Sequence, residues 1–124
     1  MQKEICGIIL KVSYPSMGDT SKIEILDKTM LEWVMLALAG DFTAAINYSD
    51  STPLPLLLRP HLTDAEFTAV LFSDTPLITR KTVLDAVYDL DSSRENVLKM
   101  TRGYVFKTEF LKNAEKIYAD NHRF

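Results

Sequence analysis

The sequence predicts a single α/β domain in which helices cover both faces of an open, mostly parallel or mixed sheet, a three-layer α/β/α arrangement. Segments typical of strands alternate along the chain with segments typical of helices, which is the pattern of such layered domains. The first strand segment, residues 4–12, is rich in Ile, Leu and Val with little polar alternation, as in strands buried on both faces. With 124 residues the chain is too short for two ordinary domains, so residues 1–124 are assigned to one.

Composition and charge narrow the class of protein. Of the residues, 47% are hydrophobic and 25% are charged, which is typical of a folded domain. The net charge of −3 gives no broad basic surface for a nucleic-acid backbone, so we expect no nucleic-acid partner. The apolar run at the N-terminus is interrupted by Lys11 and is too short to span a bilayer, so no membrane partner is expected. The single cysteine, Cys6, fits a reducing compartment, and we expect a cytoplasmic location.

The first half of the chain continues with a loop and a well-bounded helix. Residues 13–21 are rich in Ser, Pro, Gly and Asp and predict a loop, and residues 23–26 predict a short extended piece. Thr29 and Glu32 have the spacing of a capping box, which predicts that a helix begins there. Gly40 lies at the predicted end of this helix, where a residue in the left-handed backbone conformation is favoured.

The second half of the chain repeats the alternation. A strand is predicted at 42–48, followed by a short helix that Thr52 caps, that Pro53 opens and that ends at Arg59. A strand at 67–73 and a helix from Thr79 to about Leu90 come next. The remaining predicted elements are short strands at 97–100 and 104–106 and a helix from Thr108 to about Tyr118. Ile78 and Val83 are spaced to form a hydrophobic staple at the helix that Thr79 caps.

The predicted sheet indicates where a ligand would bind. In open α/β sheets, ligands bind outside the carboxyl ends of the strands. Two segments follow strand ends here, namely residues 13–22 and the turn Asp74-Thr75-Pro76. A carboxylate at a strand end beside a basic loop can hold Mg²⁺ and the phosphates that it neutralises. The alternative is that this turn only caps the following helix.

Three segments resemble nucleotidyltransferase domains and occur in the order found there. Ser21-Lys22 followed by Asp27-Lys28-Thr29-Met30-Leu31-Glu32-Trp33-Val34 is similar to the opening of such a domain. Leu71-Phe72-Ser73-Asp74-Thr75-Pro76-Leu77-Ile78-Thr79 resembles the strand of the family that ends in Gly-Asp-x-Pro-Leu-Ile. Thr101-Arg102-Gly103-Tyr104-Val105-Phe106 is similar to its Asn-Thr-Gly-x-Tyr-Val-Phe segment. The N-acetylglucosamine-1-phosphate uridylyltransferases and the molybdopterin-guanylyltransferase-like group are the nearest in pattern.

This resemblance implies a truncated, Rossmann-like nucleotide-diphospho-sugar transferase fold and a candidate site. The family joins a sugar 1-phosphate to a nucleoside triphosphate and releases pyrophosphate, with Mg²⁺ as cofactor. By resemblance, Asp74 is the metal ligand and Lys22 the catalytic residue that meets the phosphates. The substrate-binding positions that the resemblance implies are Leu10, Lys11, Ser13 and Gly103.

The sequence departs from the family where this chemistry is performed. The family loop is rich in glycine and carries an arginine, whereas residues 11–17 contain neither. Glycine lets backbone amides approach a phosphate closely, and Pro15 removes one such donor. Met100 stands at the position of the second metal ligand, where a thioether is a poor ligand for a hard cation. Residues 50–53 keep little of the base-reading segment of the family.

Two functions therefore stay open. The first is a reduced, Mg²⁺-dependent nucleotidyltransferase, and the second is a non-catalytic relative that binds a ligand or a partner protein. The ligands expected are a nucleoside triphosphate or a sugar phosphate. A homodimer is a further expectation, because the predicted first helix carries an apolar surface broader than a small sheet covers. The residues of that surface are Met30, Leu31, Val34, Met35 and Leu38.

Overall fold

The computed structural model describes residues 4–14, 18–49, 51–100 and 102–113. A five-stranded mixed sheet forms the centre of the fold. Its strands are β1 (Ile5–Lys11), β6 (Phe42–Asn47), β7 (Phe67–Phe72), β8 (Val97–Met100) and β9 (Gly103–Lys107). They lie in the order β6-β1-β7-β9-β8. β1 pairs in parallel with both β6 and β7, whereas β9 is antiparallel to β7 and β8, so the predicted α/β fold is confirmed with a mixed sheet.

Short strand pairs and helices connect these strands. Two small antiparallel pairs precede the first helix, formed by β2 (Ser13–Tyr14) with β3 (Gly18–Asp19) and by β4 (Glu24–Ile25) with β5 (Lys28–Thr29). The helices are α1 (Met30–Leu38), α2 (Leu54–Leu58) and α3 (Arg80–Asp91), with residues 108–113 also helical. Short 3-10 turns cover Thr20–Lys22, Ala39–Asp41 and Arg59–His61.

Each face of the sheet has its own hydrophobic core, which gives the three predicted layers. Successive side chains of β1 point to opposite faces. Ile9 accordingly packs with α1 and α3, whereas Ile8 packs with α2 and the helix at 108–113. β1 and β7 are buried almost throughout, as expected of strands covered on both sides. Among the described residues, no helix is long and apolar enough to cross a bilayer.

Both long helices begin where the sequence predicts. The backbone amide of Glu32 donates to Thr29 Oγ1 at 3.2 Å, and the amide of Thr29 donates to Glu32 Oε1 at 2.9 Å, which completes the capping box. Thr79 Oγ1 accepts from the amide of Thr82 at 3.2 Å and caps α3.

Three local predictions need correction. Ala39, and not Gly40, has the positive φ of 50° after α1, because the chain turns at once into a 3-10 turn that leads to β6. α2 begins after Pro53 without a side-chain hydrogen bond, so Thr52 does not cap it. Residues 13–21, predicted as a loop, contain the hairpin β2-β3 and a 3-10 turn. The predicted end of the last helix at Tyr118 lies outside the described residues.

α1 and α3 are joined at the C-terminal end of α1. Arg80 Nη1 donates to the carbonyl oxygen of Leu38 at 2.8 Å, and Arg80 also forms a salt bridge with Asp41. The carbonyls at the end of a helix lack partners within the helix, so a cation there is favourable. The contact therefore fixes α3 relative to the turn between α1 and β6.

Candidate functional site

A cavity of about 390 Å³ lies at the carboxyl ends of β1 and β6, where open α/β sheets bind ligands. Its described lining is mainly polar and aromatic and includes two cationic side chains. The lining residues are Lys11, Val12, Ser13, Tyr14, Asn47, Tyr48 and Arg102.

Buried hydroxyl groups fix the chain as it leaves β1. Ser73 Oγ accepts from the amide of Val12 at 3.0 Å and lies 2.9 Å from Thr20 Oγ1. Thr20 Oγ1 donates to the carbonyl oxygen of Val12 at 2.6 Å, and the amide of Thr20 donates to the same oxygen at 2.9 Å. Ser73 and Thr20 are fully buried. Val12 and Thr20 are therefore held together by buried hydrogen bonds.

The same bonds use backbone donors that a phosphate-binding loop would present. The amide of Val12 donates to Ser73, and the amide of Ser21 donates to Asp19 Oδ1 at 3.0 Å. Backbone amides bind phosphate when several of them point outward together. The amides of Val12, Thr20 and Ser21 all have partners within the chain, so this part of the segment is built as a structural turn.

Asp74 lies just after β7, and two side chains hold its carboxylate. Arg102 Nη2 donates to Oδ2 at 2.9 Å and Nε donates to Oδ1 at 3.3 Å. The hydroxyl of Tyr14 donates to Oδ2 as well. The side chain of Asp74 is 16% exposed and that of Arg102 is 44% exposed, so the carboxylate lies beneath the guanidinium.

Aromatic rings complete this group of residues. The guanidinium carbon of Arg102 lies 4.3 Å from the centre of the Phe72 ring, which is a cation–π contact. Tyr48 meets Phe72 edge to face with ring centres 6.0 Å apart. We call Tyr14, Tyr48, Phe72, Asp74 and Arg102 the Arg102 cluster.

The hydrogen bonds of the Arg102 cluster set its protonation states. Burial opposes ionisation of Asp74, but the hydrogen bonds from Tyr14 and Arg102 outweigh it, and the pKa of Asp74 is lowered. The hydrogen bond to Asp74 raises the pKa of Tyr14, so its hydroxyl stays a donor at neutral pH. At neutral pH, therefore, the carboxylate of Asp74 is ionised, Arg102 is a cation and the phenol of Tyr14 is neutral.

Lys22, the predicted catalytic residue, is exposed in the 3-10 turn Thr20–Lys22 and is absent from the described lining of the cavity. A hydrogen bond from Ser21 is the main reason that the pKa of Asp19 is lowered, and the positive charges of Lys22 and Lys11 lower it further. Both lysines therefore lie near Asp19. Lys22 stays a prediction as a phosphate contact.

The other predicted substrate positions have different surroundings. Lys11 and Ser13 line the cavity. Leu10 is fully buried in the core, and its carbonyl oxygen accepts from the amide of Ser73 at 2.9 Å. Gly103 is buried with φ +126°, and a Cβ there would lie 2.6 Å from the carbonyl oxygen of Val70. A structural role accounts for glycine at 103, and a binding role for Leu10 or Gly103 stays a prediction.

Sequence reasoning missed Arg102, which contributes two hydrogen bonds to the carboxylate expected to hold a metal. The signal was present, because Arg102 precedes the glycine of the third matched segment. Met100, at the expected second metal position, is 8% exposed and packs in the core below α1 and α3.

The described residues do not fit Mg²⁺ in the present arrangement. Mg²⁺ needs oxygen ligands in nearly ideal octahedral geometry, usually from one or two carboxylates together with waters and phosphates. Both oxygens of Asp74 already accept hydrogen bonds. In the described parts of the chain, no three His, Cys, Asp or Glu side chains are grouped to hold a metal ion. A metal ion at Asp74 would therefore compete with Arg102 for this carboxylate, and Mg²⁺ stays a prediction.

Comparison with known proteins identifies the fold. The structure of 2-C-methyl-D-erythritol 4-phosphate cytidylyltransferase from Thermus thermophilus matches with a TM-score of 0.64 at 12% identity, over 98% of this chain and 79% of that chain. The fold is nucleotidyltransferase-like. A hypothetical transferase, also from Thermus thermophilus, matches with a TM-score of 0.53 at 16% identity, over 98% of this chain and 74% of that one. Neither a protein-family profile nor a curated protein sequence matches the chain.

Proposed function

We propose that this chain is a non-catalytic member of the nucleotidyltransferase-like fold that binds a nucleotide or sugar phosphate in the cavity beside the Arg102 cluster. The observation that carries the proposal is the state of Asp74. The carboxylate that resembles the metal ligand of active enzymes accepts hydrogen bonds from Arg102 and Tyr14.

The loss of catalysis follows from what nucleotidyl transfer requires. Catalysis of phosphoryl chemistry comes from positioning and from neutralising charge that develops on the phosphate oxygens. Here the charge of Asp74 is matched by Arg102, and the described amides next to β1 are used within the chain. Lys22 lies outside the described cavity lining. These features support slow or absent turnover.

Retained binding is supported by the cavity itself. Its volume of about 390 Å³ falls in the range of small-molecule sites, which is roughly 300–1,000 Å³. Lys11 and Arg102 supply positive charge, and Tyr14 and Tyr48 supply aromatic surface. A cationic and aromatic lining suits a phosphorylated ligand that carries a ring.

Two assays on the full chain test the proposal. We expect no pyrophosphate release from a panel of UTP, CTP, GTP and ATP with sugar phosphates and Mg²⁺, where CTP is included because one structural neighbour is a cytidylyltransferase. We also expect at least one nucleotide or sugar phosphate to raise the melting temperature, since a ligand of the native state stabilises it. Mg²⁺-dependent pyrophosphate release that Asp74→Asn abolishes contradicts the proposal.

The enzyme alternative makes an opposite prediction about one variant. Asp74 is ionised and partly exposed, so a metal-bound nucleotide could draw it away from Arg102. In that case Arg102 competes with the metal, and Arg102→Met increases Mg²⁺-dependent activity. Under the proposed function the same variant is inactive and binds the ligand less tightly. A cytoplasmic location and specificity for uridine nucleotides stay predictions.

A further inference from the structure

We infer that the cavity binds a phosphomonoester, either a nucleoside monophosphate or a sugar phosphate, without a divalent cation, and that Arg102 binds its phosphate group. This inference rests on the proposed function and specifies its ligand. In effect, a side-chain cation held by Asp74 takes the place of the metal that the same carboxylate would otherwise bind.

Arg102 is held in position before any ligand arrives. Its Nε and Nη2 donate to the two oxygens of Asp74 at 3.3 and 2.9 Å, and its guanidinium lies 4.3 Å from the centre of the Phe72 ring. Among the described residues, Nη1 makes no hydrogen bond, and Arg102 lines the cavity. A planar guanidinium fixed along one edge keeps donors for a phosphate on the other, and it loses little freedom on binding.

The charges favour one phosphate group over a triphosphate. Lys11 and Arg102 are the charged side chains of the described lining, and Asp74 lies beneath Arg102. A phosphomonoester carries a charge of about −1.5 to −2 at pH 7. The two cations and one carboxylate have a net charge of about +1, which compensates roughly half to two-thirds of the phosphomonoester charge. A triphosphate brings more negative charge and depends on Mg²⁺ to neutralise it.

The remaining lining suits a ring beside the phosphate. Tyr14 and Tyr48 are 39% and 43% exposed, and both line the cavity. Tyrosine rings can contact the face of a base or of a sugar. Ser13 and Asn47 add polar groups in the same lining that can hydrogen-bond to hydroxyl or amide groups.

Calorimetric titration of the full chain in EDTA tests the inference. The probes are UMP, CMP, AMP, glucose 1-phosphate, inorganic phosphate and uridine, each repeated with Mg²⁺. We expect at least one of the organic phosphomonoesters to bind in EDTA with an affinity that Mg²⁺ does not increase. Uridine alone is expected to bind more weakly than UMP. Tighter binding of the nucleotides identifies a base site, and tighter binding of glucose 1-phosphate identifies a sugar site; either agrees with the inference.

Variants assign the phosphate contact. Arg102→Met and, as a second variant, Lys11→Met are each expected to lower the affinity about tenfold to a hundredfold, the usual effect of losing a charged hydrogen bond. Arg102→Lys should recover only part of the loss, because lysine lacks the planar fork. Arg94→Met, an exposed arginine outside the described lining, is the matched control and should bind as the wild type does.

The possible failures are distinguishable. Binding of phosphomonoesters that requires Mg²⁺, or that Arg102→Met leaves unchanged, overturns the inference and leaves the proposed function standing. The same holds if only nucleoside triphosphates or nucleotide sugars bind. If no phosphorylated compound binds to the folded chain, the proposed function fails as well.

Discussion

At the scale of single residues, the main feature of the site is the ion pair between Asp74 and Arg102. Asp74 lies at the end of a strand, and this position could be predicted because the strand and the following Thr-Pro turn are both visible in the sequence. Its partner could not, since Arg102 lies 28 residues away along the chain. Local patterns predict where a side chain emerges, but a contact at that separation depends on how β7 and β9 pair.

Asp74 should contribute pH-dependent stability. A carboxyl whose pKa is lower in the folded than in the unfolded state stabilises the fold above its unfolded pKa, about 3.9 for Asp, and loses that contribution as the pH falls through its folded pKa. The pKa of Asp74 is shifted in this direction. We therefore expect the stability gap between the wild type and Asp74→Asn to narrow as the pH falls below about 4.

Urea denaturation between neutral and acidic pH measures this gap. Asp85→Asn is a suitable control, because Asp85 forms an exposed ion pair within α3, and exposed pairs contribute little stability. A gap between the wild type and Asp74→Asn that is the same at every pH would contradict the role assigned to the carboxylate.

At the scale of elements, side-chain caps could be predicted and chain reversals could not. Thr29 with Glu32 and Thr79 with Thr82 are local pairs whose residues are adjacent on the helix, and both caps are present. Which residue has a positive φ after α1 depends instead on the path that the chain takes from α1 into β6. Local preference indicates Gly40, but this route places Ala39 at φ 50° and ψ −127°.

Exchanging these two residues should therefore stabilise the protein. A residue with a Cβ in such a conformation costs on the order of 1–3 kcal/mol, and glycine removes that strain. We expect Ala39→Gly to increase the free energy of unfolding by about 1 kcal/mol. A Cβ at Gly40 would meet no atom within 4 Å, so Ala39→Gly with Gly40→Ala should be at least as stable as Ala39→Gly alone.

Urea unfolding of the three proteins provides the measurement. Gly103→Ala gives the opposite sign as a control, since a Cβ there lies 2.6 Å from the carbonyl oxygen of Val70. If Ala39→Gly is destabilising, the strain assigned to Ala39 is wrong.

At the scale of the whole molecule, the sequence predicted the layers but not the neighbours of every strand. Apolar runs identify β1 and β7 as central strands. The short strands β8 and β9 lack such a signal of direction, and the structure shows that β9 alone runs antiparallel to both of its neighbours, β7 and β8. The close approach of Gly103 to Val70 fixes where β9 can begin.

The predicted homodimer also belongs at this scale. Most of the apolar stripe predicted on α1 is used within the chain, since Met30, Val34 and Leu38 are buried. Leu36 is 55% exposed and lines a second cavity of about 420 Å³ with Met35 and Phe42. If two copies associate, this is the surface of α1 still available to them.

Light scattering on the purified chain tests the dimer. We expect a mass of twice 14.1 kDa for the wild type and a monomer for Leu36→Glu, because a charge in an apolar interface lacks a partner. Tyr88→Glu, at an exposed position on α3, should leave the mass unchanged. A wild-type monomer at micromolar concentration contradicts the prediction.

The buried hydroxyls of Ser73 and Thr20 have a consequence for protein engineering. Because they join Val12 to Thr20, buried hydrogen bonds fix the two residues between which this segment begins and ends. The part of this segment after Tyr14 is the place for a change, because Tyr14 itself donates to Asp74 and lines the cavity. A glycine-rich insert placed there would supply further backbone amides, and so offers a direct route to building a triphosphate site on this chain.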